Sequence, residues 1–380
     1  MKILHISTFL QGGAGKVVVN LSKGALAKGH EVTVACTEDS VDGYGNYPEH
    51  IEGLRDLKVP LVFLDSTFSR DQAKNRLASE TLHSQIVRDC PDLIHSHSSI
   101  PSLVAMKATS GLKNKIPILQ TMHGWGIYKT AEQEVQDIGI LELTDHVVSI
   151  SKSSENLLVR KGLSNPHRSI IYNGLSSVPV TGTDPNDEHI LLIKSLKEEG
   201  KKIIGVVGTV DSRKNQSLVM DALSILPQKV KIHAFFIGEG EDLESCRKKA
   251  ETLGISNRVT LTGYKAAARS FIGKFDLLVN ASLSEGAAPL VILEAFADKT
   301  LVLASDTPEN KEAVEDSRNG FLFRSGDAQN LCYKIQKSLR CNNQEKILDS
   351  AYDLFSSRFT GKQTLQNYLE LYKRLINQSH

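Results

Sequence analysis

Short β-rich runs alternate with helical stretches from one end of this chain to the other, and that rhythm limits the fold more than any other feature. In the first half the runs fall near residues 2–7 (KILHIS), 31–36, 60–64, 92–96, 116–121 and 145–151. In the second half they fall near 202–208 (KIIGVVG), 231–238, 258–263, 275–281, 300–305 and 320–323. Such near-continuous apolar strands, separated by helices, mean parallel sheets covered on both faces. The chain has 380 residues, too many for one ordinary core and suited to two domains. Segment 176–189, SSVPVTGTDPNDEH, breaks the rhythm with linker chemistry. The expected organisation is a first doubly wound domain over 1–178, a linker over 179–189 and a second such domain over 190–355. The stretch from about 344 to 377 has helical periodicity and no strand.

Acids and bases balance, 44 against 45, for a net charge of +1. That argues against a nucleic-acid partner, which needs a basic excess on one face; peripheral membrane contact stays open. The five cysteines have neither CxxC nor metal-ligand spacing and read as reduced, in a cytoplasmic setting. No apolar run reaches the roughly 18 residues of a membrane span. The N-terminus reads as a strand rather than a signal peptide.

The segment SLSEGAAPLVILEAFA, 282–297, carries the sharpest chemistry. Glu285 and Glu294 flank a small-residue loop that enters an apolar helix, with Pro289 expected at the first helical position. The N–H groups of Leu290 and Val291 and the helix dipole then favour an anion in the loop. An anion site bracketed by two acids suits a ligand with phosphates at one end and hydroxyls at the other, such as a nucleotide sugar. In GTVDSRKNQSLVMDAL, 208–223, Arg213 and Lys214 stand between a strand and a helix. Cations there oppose the helix dipole and suit a pyrophosphate.

Residues 11–34, QGGAGKVVVNLSKGALAKGHEVTV, join a strand to a helix through Gly12, Gly13 and Gly15. The spacing fits neither GxGxxG nor a P-loop. It reads either as a tight turn or as backbone that approaches a ligand or a facing domain. In TMHGWG, 121–126, His123 follows an apolar strand. His95 and His97 face one way on a strand, but no Cys, Asp or Glu nearby completes a metal set, and no DxD triplet occurs.

In order and spacing, GGAGKVVVNLSKGALAKGHEVTV, DLIHSH, TMHG, VSISKSSENL, IIYNGL, GVVGTVDSRKNQSLVMDAL, FFIGEGED, RVTLTGY and SEGAAPLVILEAFA resemble the retaining GT-B glycosyltransferases of family 4. The resemblance implies two Rossmann-like domains facing across a cleft, with a C-terminal helix, 356–380, crossing back to the first. It implies a nucleotide-sugar donor, a UDP-sugar foremost, no further cofactor or metal, and a sugar, glycan or glycolipid acceptor. Arg213 and Lys214 would hold the diphosphate, Glu294 the ribose and Glu285 the donor sugar. The backbone of 286–291, including Gly286, Ala287, Leu290 and Val291, would line the sugar and phosphate, and Tyr264 would lie near the base. Gly13 and Gly15 would approach the phosphate, and His123 the donor sugar. Two departures stand out. The glutamates are one residue further apart than the family's usual spacing, which puts the extra residue within 286–288. Thr209 stands where many members carry arginine. A nucleotide-sugar 2-epimerase and a silent nucleotide-sugar-binding subunit are the alternatives.

Overall fold

The structure is a computed structural model; it describes residues 1–380 except 39, 42–43, 65–69, 127–128, 176–183, 185, 266, 286–288 and 380. Two compact units divide the chain: Met1–Asn173 together with Gly361–His380, and Gly174–Thr360. The second unit keeps Leu175 because its N–H donates to Phe359 O at 2.9 Å.

The first unit holds strands β1 (Lys2–Ile6), β2 (Glu31–Cys36), β3 (Leu61–Phe63), β4 (Leu93–Ser96), β5 (Ile118–Met122), β6 (His146–Ser149) and β7 (Arg168–Ile170). All pair in parallel, in the order β3-β2-β1-β4-β5-β6-β7. The second holds β8 (Lys202–Val207), β9 (Ile232–Ile237), β10 (Val259–Gly263), β11 (Leu277–Asn280), β12 (Val302–Ser305) and β13 (Phe321–Phe323), parallel in the order β10-β9-β8-β11-β12-β13. Each sheet is thus a doubly wound Rossmann-like layer. β7 escapes the sequence reading: three half-buried residues, Arg-Ser-Ile, at a sheet edge leave no apolar run.

The wound order fixes where chemistry can sit. Parallel strands bring all their C-terminal ends to one edge. Ligands bind there, where the strand order reverses, because the loops on either side part and leave a crevice. The reversal falls between β1 and β4 in the first sheet and between β8 and β11 in the second.

In the first unit one face of the sheet packs on helix Gly12–Ala27 through Val17, Val18, Leu21 and Ala25. The C-terminal helix Gly361–Ser379 covers the same face with Tyr368, Leu371, Tyr372 and Leu375. Gly24 permits this approach, since a Cβ there would lie 2.5 Å from Leu365 Cδ2. The other face buries Ala78, Leu82, Ile86 and Val104. In the second unit Val219, Leu223, Phe236, Leu303 and Ile335 belong to one continuous core.

The edge of the second sheet depends on two glycines. Gly238, just past β9, has φ +147°, and a Cβ there would stand 1.9 Å from Gly208 O. Gly208 itself has φ +144° and opens the loop after β8. Backbone thus packs on backbone, and neither atom can swing aside. Gly238→Ala is expected to destabilise the protein by about 3 kcal/mol, from strained φ and overpacking together. Urea titration measures it; a loss below about 1 kcal/mol would mean that the loop yields.

Candidate functional site

The loop after β8 is built before it is charged. Gly208 N–H donates to Ile237 O at 3.0 Å and Val210 N–H to Glu239 O at 2.8 Å, fastening the loop to the strand beside it. The Asp211 carboxylate accepts from Lys214 N–H at 2.8 Å, an Asx-type turn. Asn215 then takes the left-handed conformation, φ +53°, and starts helix Gln216–Ile225. Buried Gln216 donates from Nε2 to Thr209 O at 2.7 Å. Arg213 and Lys214 are thereby held on a rigid bend.

The loop after β11 meets that bend. Leu283 N–H donates to Arg213 O at 2.8 Å. The Glu285 carboxylate lies 2.5 Å from Lys214 Nζ and 3.4 Å from Arg213 Nη1, and accepts from Ser282 Oγ at 2.5 Å. Arg213 also faces Asp211 at 3.3 Å. Only 8% of the Glu285 side chain is exposed, against 17% for Lys214 and 34% for Arg213, so the ion pair is partly withdrawn from water. Behind it, Ser305 Oγ donates to Ser282 O at 2.5 Å, and Asn310 Nδ2 donates to Ser305 O and Oγ at 2.9 Å. This Ser282–Ser305–Asn310 support was not foreseen, since isolated polar residues at strand ends carry no periodic signal.

The two cations and the acid expected at the donor therefore converge at the reversal point of the second sheet. Tyr264 follows β10 on the same edge and is 57% exposed. Glu294 is half-buried on helix Leu290–Ala297. Pro289 corrects one expectation: with ψ 132° it is the N-cap, and the helix begins one residue later. Ile292 N–H is the first to bond back, to Pro289 O at 3.0 Å, so Leu290 and Val291 occupy the positions whose N–H groups have no intrahelical acceptor. Gly286 and Ala287, and with them the extra residue of the loop, lie outside the described residues.

The remaining predicted residues belong to the first unit. Gly13 is exposed at the start of helix Gly12–Ala27. Gly15 lies on the same helix. It is buried, its N–H donates to Gln11 O at 3.0 Å, and a Cβ would come within 2.5 Å of Leu10 C and 2.7 Å of His50 Nδ1. A side chain there would collide with the loop at Leu10.

His123 ends a row of histidines. β1, β4 and β5 lie side by side, and His5, His95, His97, Thr121 and His123 recur at every second residue, so they share one sheet face. His5 Nδ1 lies 3.0 Å from His97 Nε2, and His97 Nδ1 lies 3.0 Å from His123 Nε2. His95 bonds Tyr372 Oη at 2.6 Å and Thr121 Oγ1 at 2.8 Å, and Tyr368 Oη reaches the same Thr121 Oγ1 at 3.0 Å. Desolvation keeps the rings neutral: His5 is pushed down to about 3 and His123 to about 4, with His95 and His97 well below the ordinary value. The sequence reading found no third partner for His95 and His97; the sheet supplies His5, and potential ligand nitrogens of the three rings lie within 4.8 Å of one another. Both nitrogens of His95 and of His97 are already engaged in hydrogen bonds, however, so the cluster stands as a bonded stack. Trp125 is likewise occupied: its Nε1–H donates to Glu134 Oε1 at 2.9 Å and Lys129 Nζ lies 4.0 Å from the ring centre.

Two doubly wound Rossmann-like units are the plan of GT-B proteins. The chain belongs to the group 1 glycosyltransferases: the family model described as glycosyl transferases group 1 matches residues 188–352, and that of glycosyltransferase family 4 matches 11–177. An uncharacterized glycosyltransferase of Methanocaldococcus jannaschii is 27% identical over 245 residues, 63% of this chain and 60% of that protein. The lipopolysaccharide core biosynthesis glycosyltransferase LpsE of Rhizobium meliloti is 26% identical over 172 residues, 44% of this chain and 49% of LpsE. These matches span about half to three fifths of either relative. Anabaena HepE, crystallised with UDP, shares the fold at TM-score 0.83 and 19% identity, over 98% of this chain and all of HepE. No helix of the described residues is long and apolar enough to cross a membrane.

Proposed function

We propose that this protein transfers a sugar from a nucleoside diphosphate, a UDP-sugar foremost, to a hydroxyl of a sugar, glycan or glycolipid, with retention at the anomeric carbon. The observation that carries this is the meeting of Arg213, Lys214 and Glu285 at the reversal point of the second sheet. Two cations on a braced turn form an anion site, and in the free protein the Glu285 carboxylate occupies it. A diphosphate competes for those cations and releases Glu285 toward the donor sugar. Glycosidic bond cleavage leads, and charge grows on the leaving phosphate, where Arg213, Lys214 and the Leu290 and Val291 amides stabilise it as fixed donors. The acceptor proton passes to that phosphate on the same face. Glu294 takes the ribose hydroxyls and Tyr264 lies by the base. The UDP bound to Anabaena HepE and the glycan role in the name of LpsE support the donor and the acceptor class.

Thermal unfolding against a panel of nucleotides and nucleotide sugars tests binding. A saturating UDP-sugar is expected to add about 2.7 kcal/mol at a hundred times its dissociation constant, a rise of a few degrees. No rise with UDP, GDP or ADP species would sink the reading. Proton NMR of the incubation then separates the chemistry. Retained transfer or slow hydrolysis supports the transferase; an isomerised donor means an epimerase; binding without turnover means a silent subunit.

A further inference from the structure

We propose that Glu239 is a second ribose-binding residue, whose carboxylate accepts from one ribose hydroxyl of the nucleotide and so selects ribonucleotides over a deoxy form. The inference rests on the reading that a nucleoside diphosphate lies along the edge of the second sheet. Its basis is the order of the chemistry along that edge. The strands run β10-β9-β8-β11. Past their C-terminal ends stand, in the same order, Tyr264, Glu239, the cations Arg213 and Lys214, and Glu285. Neighbouring strands lie about 4.8 Å apart, so each step along the edge spans roughly one moiety of a nucleotide sugar. A base at Tyr264, a diphosphate at the cations and a donor sugar at Glu285 leave one gap, over β9, and the ribose falls there.

The fold holds Glu239 at that gap and leaves its side chain unused. Val210 N–H donates to Glu239 O at 2.8 Å, which ties the residue's backbone to the loop that carries the cations. On the other side, Glu239 Oε1 lies 3.6 Å from where a Cβ on Gly263 would stand, so the carboxylate leans toward the end of β10, next to Tyr264. The residue is exposed, and its carboxylate has no hydrogen-bond or ion-pair partner among the described residues. Asp211 and Glu285 pair with the cations, whereas Glu239 does not. A free carboxylate one strand away from a phosphate site repels an anionic ligand unless it accepts a hydrogen bond from it. The ribose diol supplies such donors, and a hydrogen bond to a charged acceptor is stronger than one between neutral groups. In doubly wound folds an acid beyond the second strand, beside the phosphate loop of the first, is the group that holds a ribose hydroxyl of a dinucleotide. β9 is that second strand, since β8 stands at the reversal point and β9 lies against it. The ribose carries two hydroxyls, so Glu239 shares it with Glu294, one hydroxyl each.

The test is calorimetric titration of the whole protein with the tightest binder among UDP, GDP and ADP, and with its 2′-deoxy and 3′-deoxy forms. Glu239→Ala is expected to fold as wild type does, because the residue is exposed and the bond from Val210 uses its main chain. The variant should bind the ribonucleotide about tenfold more weakly, the scale of one hydrogen bond to a charged group. The deoxy form that lacks the hydroxyl held by Glu239 should bind the variant no more weakly than wild type. The other deoxy form should keep the tenfold loss. Glu239→Gln, which retains an oxygen acceptor without the charge, should fall between. Equal losses for all three nucleotides overturn the proposal, since a merely structural residue would act on each alike. Tighter binding of all three does so too, because the carboxylate would then only repel. Unchanged binding is the third result that overturns it. If none of the three diphosphates binds wild type, the transferase reading falls and this proposal with it. If one binds and the loss does not follow a single hydroxyl, the proposal alone falls.

Discussion

Lys214→Ala is expected to cut turnover of the donor by about a hundredfold or more, the cost of roughly 3 kcal/mol when a preorganised donor to developing negative charge is lost. The same change should barely affect folding. The Lys214 ammonium is partly exposed and its loop is braced by backbone bonds from Gly208, Val210 and Leu283, none of which involves the lysine side chain. Glu285 keeps Arg213 and Ser282 as partners when Lys214 is gone. The stability change is therefore that of a single, partly exposed ion pair, within about 1 kcal/mol. Turnover close to wild type in a folded variant would remove Lys214 from the mechanism. Glu285→Gln provides the contrast: it frees the cations of their internal carboxylate, so nucleoside diphosphate should bind more tightly while sugar transfer falls. A kinetic split of that kind separates competition at the cation site from a merely structural ion pair.

Which parts of this molecule could be read from the sequence follows from what each part depends on. The strands of the second sheet were legible because FDLLVN, TLVLAS and their like are buried on both faces and leave no periodic ambiguity. β7 was not, because an edge strand of three residues needs only its neighbour β6 to exist. The pairing of Lys214 with Glu285 spans 71 positions and carries no local signal; the resemblance assigned one to the diphosphate and the other to the donor sugar without an ion pair between them, and the physical cause of the pairing is the strand order that sets β8 beside β11. The histidine row was half visible. The i, i+2 spacing of His95 and His97 showed a shared face, but His5 joins them only once β1 is known to lie against β4. The loop 286–288, where the chain departs from the usual glutamate spacing, could be located in sequence and lies outside the described residues.

The histidine row also sets an expected response to acid, and one that separates the two units. In the first unit His5, His95, His97, His123 and His146 are all held below the ordinary value of 6.5, chiefly by burial, with His5 near 3 and His123 and His146 near 4. In the second unit the matching residue is His233, near 4, held there by burial first and Lys201 next. Below 6.5 the unfolded chain binds protons that the folded chain refuses, so stability is full above that pH and is lost as pH falls toward the folded values. Each refused proton costs about 1.4 kcal/mol per pH unit. The five rings of the first unit together give roughly 7 kcal/mol per unit, against about 1.4 for the second. A domain's whole stability is on the order of 5–15 kcal/mol, so the first unit should open within about two units below 6.5, before its own histidines can titrate in place. Hydrogen exchange followed by mass spectrometry at pH 7, 6, 5 and 4.5 reads this directly. Amides of β1, β4 and β5 should lose protection first, and those of β8, β9 and β11 should outlast them. Replacing His146, which bonds Ser169 and lies outside the candidate site, by Gln should soften the first transition by about 1.4 kcal/mol per pH unit. Equal protection of both sheets down to pH 4.5 would mean that the histidines of the first unit can take up protons where they stand, and with that the neutral row behind His123 would lose its footing.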